Sequence, residues 1–215
     1  MDCTYFGRIF CVMVFRDVIT KKNIYWKFLP YETIWAYKLG IMHLKDLEFN
    51  VKAIVCDGRR GIFQAFPDIP IQMCQFHQVA IVTRYLTRNP KLQASIELLS
   101  IVRKLKGTDE NSFKAMLIKW EERWRDFMKE RTINVETGKW NYTHKRLRSA
   151  YFSLIHNMDY LFTYQQYPNL PIPNTTNGLE GIFTDVKTNV RVHKGIQLQN
   201  KQKLINELLK NKIAT

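Results

Sequence analysis

The uninterrupted apolar run Ile9–Phe15 (IFCVMVF) most narrowly limits how this chain folds. Arg8 and Arg16 bracket it, and it is far shorter than the roughly 20 apolar residues that a membrane-spanning helix needs. A short apolar stretch without polar alternation is typical of a strand that is buried on both faces. We therefore predict a central strand at Ile9–Arg16, in a sheet with packing on both sides.

Further strands and helices are predicted around this segment. The aromatic and β-branched stretches Asp2–Phe6 and Ile24–Leu29 predict strands on either side of it. Three strands joined by hairpins and followed by alternating helices and strands predict an α/β fold, with a mixed sheet flanked by helices. The later elements are predicted at Tyr31–Phe49 (helix), Val51–Cys56 (strand), Gly61–Phe66 (helical turn), Ile69–Met73 (strand) and Gln75–Leu86 (helix).

The strand pattern stops near residue 90. Apolar residues then recur at helical spacing in two stripes, around Trp120 and around Leu154, with a loop at Thr132–Lys139 between them. We predict an all-helical insertion at 91–164 that divides an α/β core into a first part, 1–90, and a last part, 165–215. A final helix is predicted at about Gln199–Leu209.

The stretch Pro173–Gly195 predicts a loop that leads into a helix. Asn177 suits the N-cap, and Glu180 follows at the spacing of a capping box. One face carries an apolar stripe, and a second face carries Glu180, Lys187 and Arg191. That second face has two interpretations: a solvated ladder of charges, or a metal-binding carboxylate followed by phosphate-binding cations.

Three acids lie where the predicted α/β fold would gather a ligand. Asp2 is on the first strand, Asp57 follows the strand after the first long helix, and Glu180 is in the first turn of a later helix. Ligands of α/β sheets bind outside the carboxyl ends of strands, and carboxylate oxygens suit Mg²⁺. Each acid alone has another explanation: Asp2 as part of a frayed terminus, Asp57 as part of an Asp-Gly turn, and Glu180 as a capping partner.

The charge balance favours a polyanionic partner. Lys and Arg number 33 against 19 Asp and Glu, which gives a net charge of +14, and the basic residues are spread along the chain. Nucleic acid is the simplest such partner, although a merely basic protein has the same composition. The 4 cysteines form no Cys-x2-Cys pair, which indicates a reducing cytoplasm, and we expect neither a signal peptide nor a membrane span.

Four stretches carry a resemblance to a known family: MDCTYFGR, VCDGRRGIFQAF, CQFH and NTTNGLEGIF. From Asp2 to about Leu209 the chain resembles the DDE transposases of bacterial insertion sequences. It is most similar to the Mutator-like group, in the variant whose full-length members carry an N-terminal zinc-binding module. The resemblance implies a ribonuclease-H-like core in which Asp2, Asp57 and Glu180 are the catalytic acids and hold two Mg²⁺ or Mn²⁺ ions.

The resemblance also implies a reaction and partners. Metal-activated water would cut a phosphodiester bond at the end of the element, and the new 3′-OH would attack target DNA. Lys187, Arg191, His193 and Lys194 would position the phosphates. The expected partners are the transposon ends, target DNA and further copies of the chain. The expected location is the bacterial cytoplasm, at the nucleoid when DNA is bound, with no membrane association.

Two further features call for interpretation. Cys74 and His77 supply only half of the usual four zinc ligands, so we expect no zinc. The resemblance implies that the pair lies beside the acidic pocket, and we interpret it as a structural element or as a support for the metal-binding acids. Trp140 lies off the helical stripes, and it either stacks on an unpaired base of the DNA or packs in the core.

The first strand begins directly after Met1, and neither the zinc-binding module nor a site-specific DNA-binding domain precedes it. We expect an N-terminally truncated catalytic core. The alternatives are a catalytically inactive remnant that only binds DNA or oligomerises, and a different ribonuclease-H-like nuclease such as a resolvase.

Overall fold

In a computed structural model of the chain, residues 1–193 and 195–211 are described. The seven strands are β1 Asp2–Phe6, β2 Phe10–Arg16, β3 Asn23–Leu29, β4 Ile54–Cys56, β5 Ile71–Met73, β6 Arg131–Ile133 and β7 Trp140–Tyr142 in this part of the chain. The helices there are α1 Ile34–Asp46, α2 Ile62–Ala65, α3 Gln75–Leu86, α4 Gln93–Arg103, α5 Glu110–Lys129, α6 Lys145–Leu161, α7 Thr163–Gln166, α8 Asn177–Val192 and α9 Leu198–Asn211, with a short 3-10 helix at Leu105–Gly107.

Strand β2 is the centre of an antiparallel sheet with the order β1-β2-β3. Its side chains alternate between two cores: Val12 and Val14 pack with residues of α8 and α9, whereas Met13 and Phe15 pack with residues of α1. The period of two in a strand causes this alternation, and it makes β2 buried on both faces. The predicted central strand is therefore confirmed.

Strands β4 and β5 form a parallel pair, in which Ile54 is opposite Ile71. The backbone nitrogen of Met1 donates a hydrogen bond of 2.8 Å to the carbonyl oxygen of Val55, which brings the start of β1 beside β4. The chain is thus a mixed α/β protein with small sheets flanked by helices. That much of the predicted fold is confirmed.

Helix α8 packs its apolar stripe on one face of the antiparallel sheet. Leu179, Phe183 and Val186 of the stripe are buried in one cluster with Phe10 and Val14 of β2. Burial of apolar area at about 25 cal/mol per Å² holds the helix there. The stripe was predicted from its spacing, and the structure confirms it.

Helices α3 to α6 share a second hydrophobic core, which includes Leu98, Trp120 and Leu154. Met73 of β5 belongs to this core, and hydrogen bonds add a polar connection: the Gln72 and Gln75 side-chain amides each donate a hydrogen bond of 2.9 Å to the carbonyl oxygen of Leu161. In this way the end of α6 is attached to β5 and to the first turn of α3, and the chain is returned to the sheet.

The prediction that 91–164 is entirely helical is wrong at β6 and β7. These strands form an antiparallel hairpin in which Ile133 is opposite Trp140. The connection is a turn built around Asn134, whose side chain accepts hydrogen bonds from the amides of Glu136 and Thr137, and it ends in Gly138 at φ 64. Local side-chain-to-backbone bonds of this kind compete with a helix, and the hairpin is short enough to carry no clear strand signal.

Within the residues that the structure describes, no helix combines the length and the apolar character that crossing a membrane requires.

Candidate metal centre

Asp2 is firmly held at the start of β1. It is opposite Val14 in the sheet and only 7% exposed, and its Oδ1 accepts a hydrogen bond of 2.7 Å from the amide of Cys3. The frayed-terminus explanation for Asp2 is therefore wrong, because sheet pairing and burial fix the residue.

His77 and Glu180 meet beside Asp2, although they come from different helices. His77 is in the first turn of α3 and Glu180 is in the first turn of α8, and His77 Nε2 lies 3.0 Å from Glu180 Oε1. One ligand-type atom from each of Asp2, His77 and Glu180 lies within 4.8 Å of the other two. No other group of three or more potential metal ligands occurs in the described ranges.

Cys74 attaches the start of α8 to the start of α3. Its Sγ accepts hydrogen bonds of 3.3 Å from both the amide and the hydroxyl of Thr176. The amide of Gln75 donates a hydrogen bond of 2.9 Å to the carbonyl oxygen of Asn174 in the same loop. These contacts set where α8 begins and so bring Glu180 to His77.

The prediction that Asn177 caps α8 is wrong. Thr176 occupies the N-cap position, and Asn177 is the first helical residue and is exposed. Thr176 does not cap with its side chain, because its hydroxyl bonds to Cys74. The Glu180 side chain points to His77 rather than back to a cap, so no capping box forms.

Burial and mutual charge shift the acid–base behaviour of the cluster. Burial, and then the negative charge of Asp57, raise the pKa of Asp2 to about 6. The interaction with Cys74, followed by the negative charges of Asp2 and Glu180, raises the pKa of His77 to about 9 against the opposing effect of burial. Burial would raise the pKa of Cys74, but the interactions with His77 and Thr176 outweigh it and lower that pKa.

Asp57, the second predicted catalytic acid, lies at the carboxyl end of β4 but is not part of the 4.8 Å group. Its Oδ1 accepts a hydrogen bond of 3.1 Å from the amide of Arg59. Gly58 between them has φ +80, and a Cβ there would overlap the Met73 side chain, so the turn requires glycine. Asp57 is close enough for its charge to act on Asp2.

An ion pair that the sequence did not reveal fixes this turn. The guanidinium of Arg59 donates to Glu32 Oε2 at 2.9 Å and to the Glu32 carbonyl oxygen at 2.8 Å. The Tyr37 hydroxyl donates to the other Glu32 carboxylate oxygen at 2.8 Å, and Glu32 is buried. Because the partners are 27 residues apart, no local pattern indicates the pair.

The predicted phosphate-binding cations lie further along α8. Lys187, Arg191 and His193 are exposed. At 1.5 Å per residue, Lys187 is about 10 Å beyond Glu180 along the helix axis. Lys194, which was predicted with them, lies outside the described residues.

Trp140 is on the β6–β7 hairpin and is 50% exposed, so the core-packing alternative is wrong. The Arg131 guanidinium lies 4.0 Å from the centre of its ring. By contrast Trp120 is 2% exposed and belongs to the helical core, as its stripe predicted.

A cavity of about 880 Å³ has no member of the cluster in its lining, although it is larger than two other cavities of about 400 and 340 Å³. It lies between the α3–α4 connection and the segment from β7 into α6, and its lining includes Lys91, Lys145 and Arg146. Volume alone therefore does not indicate where the chemistry occurs, and the convergence of ligand-type side chains is the better guide.

The structure thus brings together Asp2 and Glu180 of the predicted acids, and it adds His77 as a direct member of the group. The sequence signal for His77 was its spacing from Cys74, but the pattern gave no indication that the ring nitrogen faces Glu180.

No model of a protein family matches this chain. Among the curated proteins, too, the search finds no match.

Proposed function

We propose that this chain is the catalytic core of a DDE-type DNA transposase. It would use divalent metal ions, Mg²⁺ or Mn²⁺, to hydrolyse phosphodiester bonds and transfer DNA strands during insertion-sequence transposition. The observation that carries the proposal is the convergence of Asp2 and Glu180, which are 178 positions apart in the sequence, on one point with His77. This is a donor set for a hard or borderline divalent cation.

The arrangement of strands supports a ribonuclease-H-like core for this proposal. An antiparallel meander carries Asp2, and β4 of the parallel pair leads to Asp57. The Met1–Val55 hydrogen bond joins the start of β1 to β4, which supports an approach of the two acids to each other. The helices between β5 and α8 separate the second acid from the third, as the resemblance implies.

In the proposed reaction each side chain has a defined part. Asp2 and Glu180 would hold a divalent ion, and Asp57, in the turn after β4, would add its negative charge nearby. The bound ion would lower the pKa of a water molecule and stabilise the negative charge of the phosphorane-like transition state. Lys187, Arg191 and His193 would contact DNA phosphates beside this point, and Trp140 would contact a base.

The test uses purified chain, supercoiled plasmid and a linear duplex with 3′-OH ends, in Mg²⁺ or Mn²⁺. We expect nicks and strand-transfer products from the wild type. The rate of product formation should fall at least about 100-fold in Asp2→Asn, Asp57→Asn and Glu180→Gln, because each substitution replaces a negatively charged carboxylate by a neutral amide. Asp68→Asn, an exposed acid away from these turns, is the matched control. Equal product from the wild type and Asp57→Asn would contradict the proposal.

One observation favours the alternative of a DNA-binding protein without activity. Asp57 does not join the group that Asp2 forms with His77 and Glu180, and a two-metal centre needs all three acids. Retained binding of a labelled duplex with no metal-dependent product from any variant would establish this alternative. Self-association of the chain on DNA, which both functions permit, is measured on the same duplex by analytical ultracentrifugation.

A further inference from the structure

We propose that His77 is itself a metal ligand, so that Asp2, His77 and Glu180 hold one divalent transition-metal ion in a site of mixed nitrogen and oxygen donors. The inference rests on the metal site of the proposed function, because it uses two of the same carboxylates. It differs in the donor set and therefore in the metal that the site selects.

The geometry suits a single ion. Donor atoms at about 2.1 Å from a metal lie about 3 Å apart when adjacent and about 4.2 Å apart when opposite. His77 Nε2 and Glu180 Oε1 are 3.0 Å apart as an ion pair, and the same separation suits adjacent ligands once a metal ion replaces the shared proton. With the Asp2 carboxylate the three donors lie within 4.8 Å of one another, so a single ion could bind all three after the side chains move closer together.

The burial of Asp2 favours a cationic partner. Asp2 is only 7% exposed, and its Oδ1 accepts a hydrogen bond from the amide of Cys3. A carboxylate oxygen in such a position costs folding free energy unless a cation or donor compensates it. The predicted phosphate-binding residues Lys187, Arg191 and His193 are exposed, and they lie further along the chain than the cluster.

The orientation of the imidazole favours coordination through Nε2. The opposite nitrogen, Nδ1, is buried on the protein side and has no hydrogen-bond partner of good geometry, while Cys74 is the neighbouring polar group there. Metal-binding histidines present one nitrogen to the ion and keep the other against a polar group that fixes the ring. Cys74 is itself held by Thr176, so the ring is supported from behind.

A nitrogen donor changes metal selection. Mg²⁺ takes oxygen ligands almost exclusively, whereas imidazole nitrogen suits first-row transition metals. The site should therefore bind Mn²⁺ more tightly than Mg²⁺, and replacement of His77 by an oxygen-donor residue should narrow that difference. We expect the Mn²⁺/Mg²⁺ affinity ratio to fall by at least about 10-fold in His77→Gln.

Pulsed electron paramagnetic resonance of tag-free, Mn²⁺-loaded protein tests the inference without relying on activity. We expect modulation from a directly bonded imidazole ¹⁴N, and its replacement by the ¹⁵N pattern when histidine is ¹⁵N-labelled. The signal should vanish in His77→Gln and persist in His156→Gln, a substitution at an exposed histidine of α6. The labelling arm needs no substitution, so the test stands even if His77→Gln folds poorly.

The outcomes separate this inference from the proposed function. Bound Mn²⁺ without nitrogen coupling would overturn the inference and leave an all-carboxylate metal site in place. Nitrogen coupling in a protein that makes no DNA product would support the inference and overturn the transposase activity. Absence of Mn²⁺ binding at millimolar concentration would overturn the inference, and plasmid cleavage in Mg²⁺ would then decide the proposed function alone.

Discussion

At the scale of single residues, the charged form of the buried Asp2 carboxyl group destabilises the folded protein. Burial and the charge of Asp57 raise its pKa to about 6, above the ordinary value of 3.8. The folded chain thus holds the proton more tightly than the unfolded chain does. The resulting stabilisation is fully present below about pH 3.8 and is lost as the pH rises through about 6.

From this we predict that Asp2→Asn stabilises the metal-free protein at pH 7.5 and not at pH 4. The asparagine stays neutral, so it avoids the free-energy cost of burying a charged carboxylate. The rise of the Asp2 pKa from 3.8 to about 6 limits that cost to about 3 kcal/mol. Thermal unfolding in EDTA across pH 4–8 measures the difference, with Asp68→Asn as the exposed control. Equal gains for Asp2→Asn at both pH values would show that charge is not the cause.

At the scale of secondary-structure elements, the Cys74–Thr176 contact joins two helix starts. We predict that Cys74→Val destabilises the fold by about 1–2 kcal/mol, because two donors of Thr176 lose their acceptor. Cys74→Ser keeps an acceptor and should recover part of the loss. Urea unfolding gives the free energies, and hydrogen exchange should show faster exchange at the start of α8 in the valine variant.

Gly40 and Gly181 allow a comparison of two helices, because both glycines are helical but only Gly40 lies close against the sheet. A Cβ on Gly40 of α1 would overlap the ring of Phe15, whereas a Cβ on Gly181 of α8 meets nothing within 4 Å. We predict that Gly40→Ala costs about 1–3 kcal/mol through overpacking, and that Gly181→Ala gains up to about 1 kcal/mol from helix propensity. Chemical denaturation of both variants measures whether the free energy of unfolding changes in opposite directions. An undiminished stability of Gly40→Ala would show that α1 can shift on the sheet without cost.

Secondary-structure elements were predictable where the order of apolar residues along the chain itself shows which faces are buried. The continuous run of β2 and the stripe of α8 are of this kind, and both are confirmed. The cap of α8 was not predictable, because Thr176 is bound by a cysteine 102 residues away. Likewise the resemblance implied that Asp2, Asp57 and Glu180 share one site, but it could not show that His77 joins Asp2 and Glu180 or that Asp57 stays outside the group.

For the whole molecule, the dominant property is the excess of 33 basic over 19 acidic residues, a net charge of +14. A charge of this size on a folded chain creates a field that attracts any polyanion, whatever its sequence. In the proposed function, the reaction at Asp2 and Glu180 would therefore act on DNA that general electrostatic attraction already holds. DNA binding and the proposed catalysis should then respond differently to salt, because exposed charges are screened and a partly buried cluster is screened less.

We accordingly predict that affinity for a labelled duplex falls about 10³-fold or more between 50 and 200 mM salt, as counterion release requires for six or more phosphate contacts. Lys187→Gln should lower the slope of log affinity against log salt by about 1, because it removes one phosphate contact on α8. Lys119→Gln, which makes the same change of net charge on the exposed face of α5, is the matched control. Fluorescence anisotropy titrations measure both slopes, and an equal decrease in the two variants would show that binding follows net charge and not the placement of Lys187 beyond Glu180.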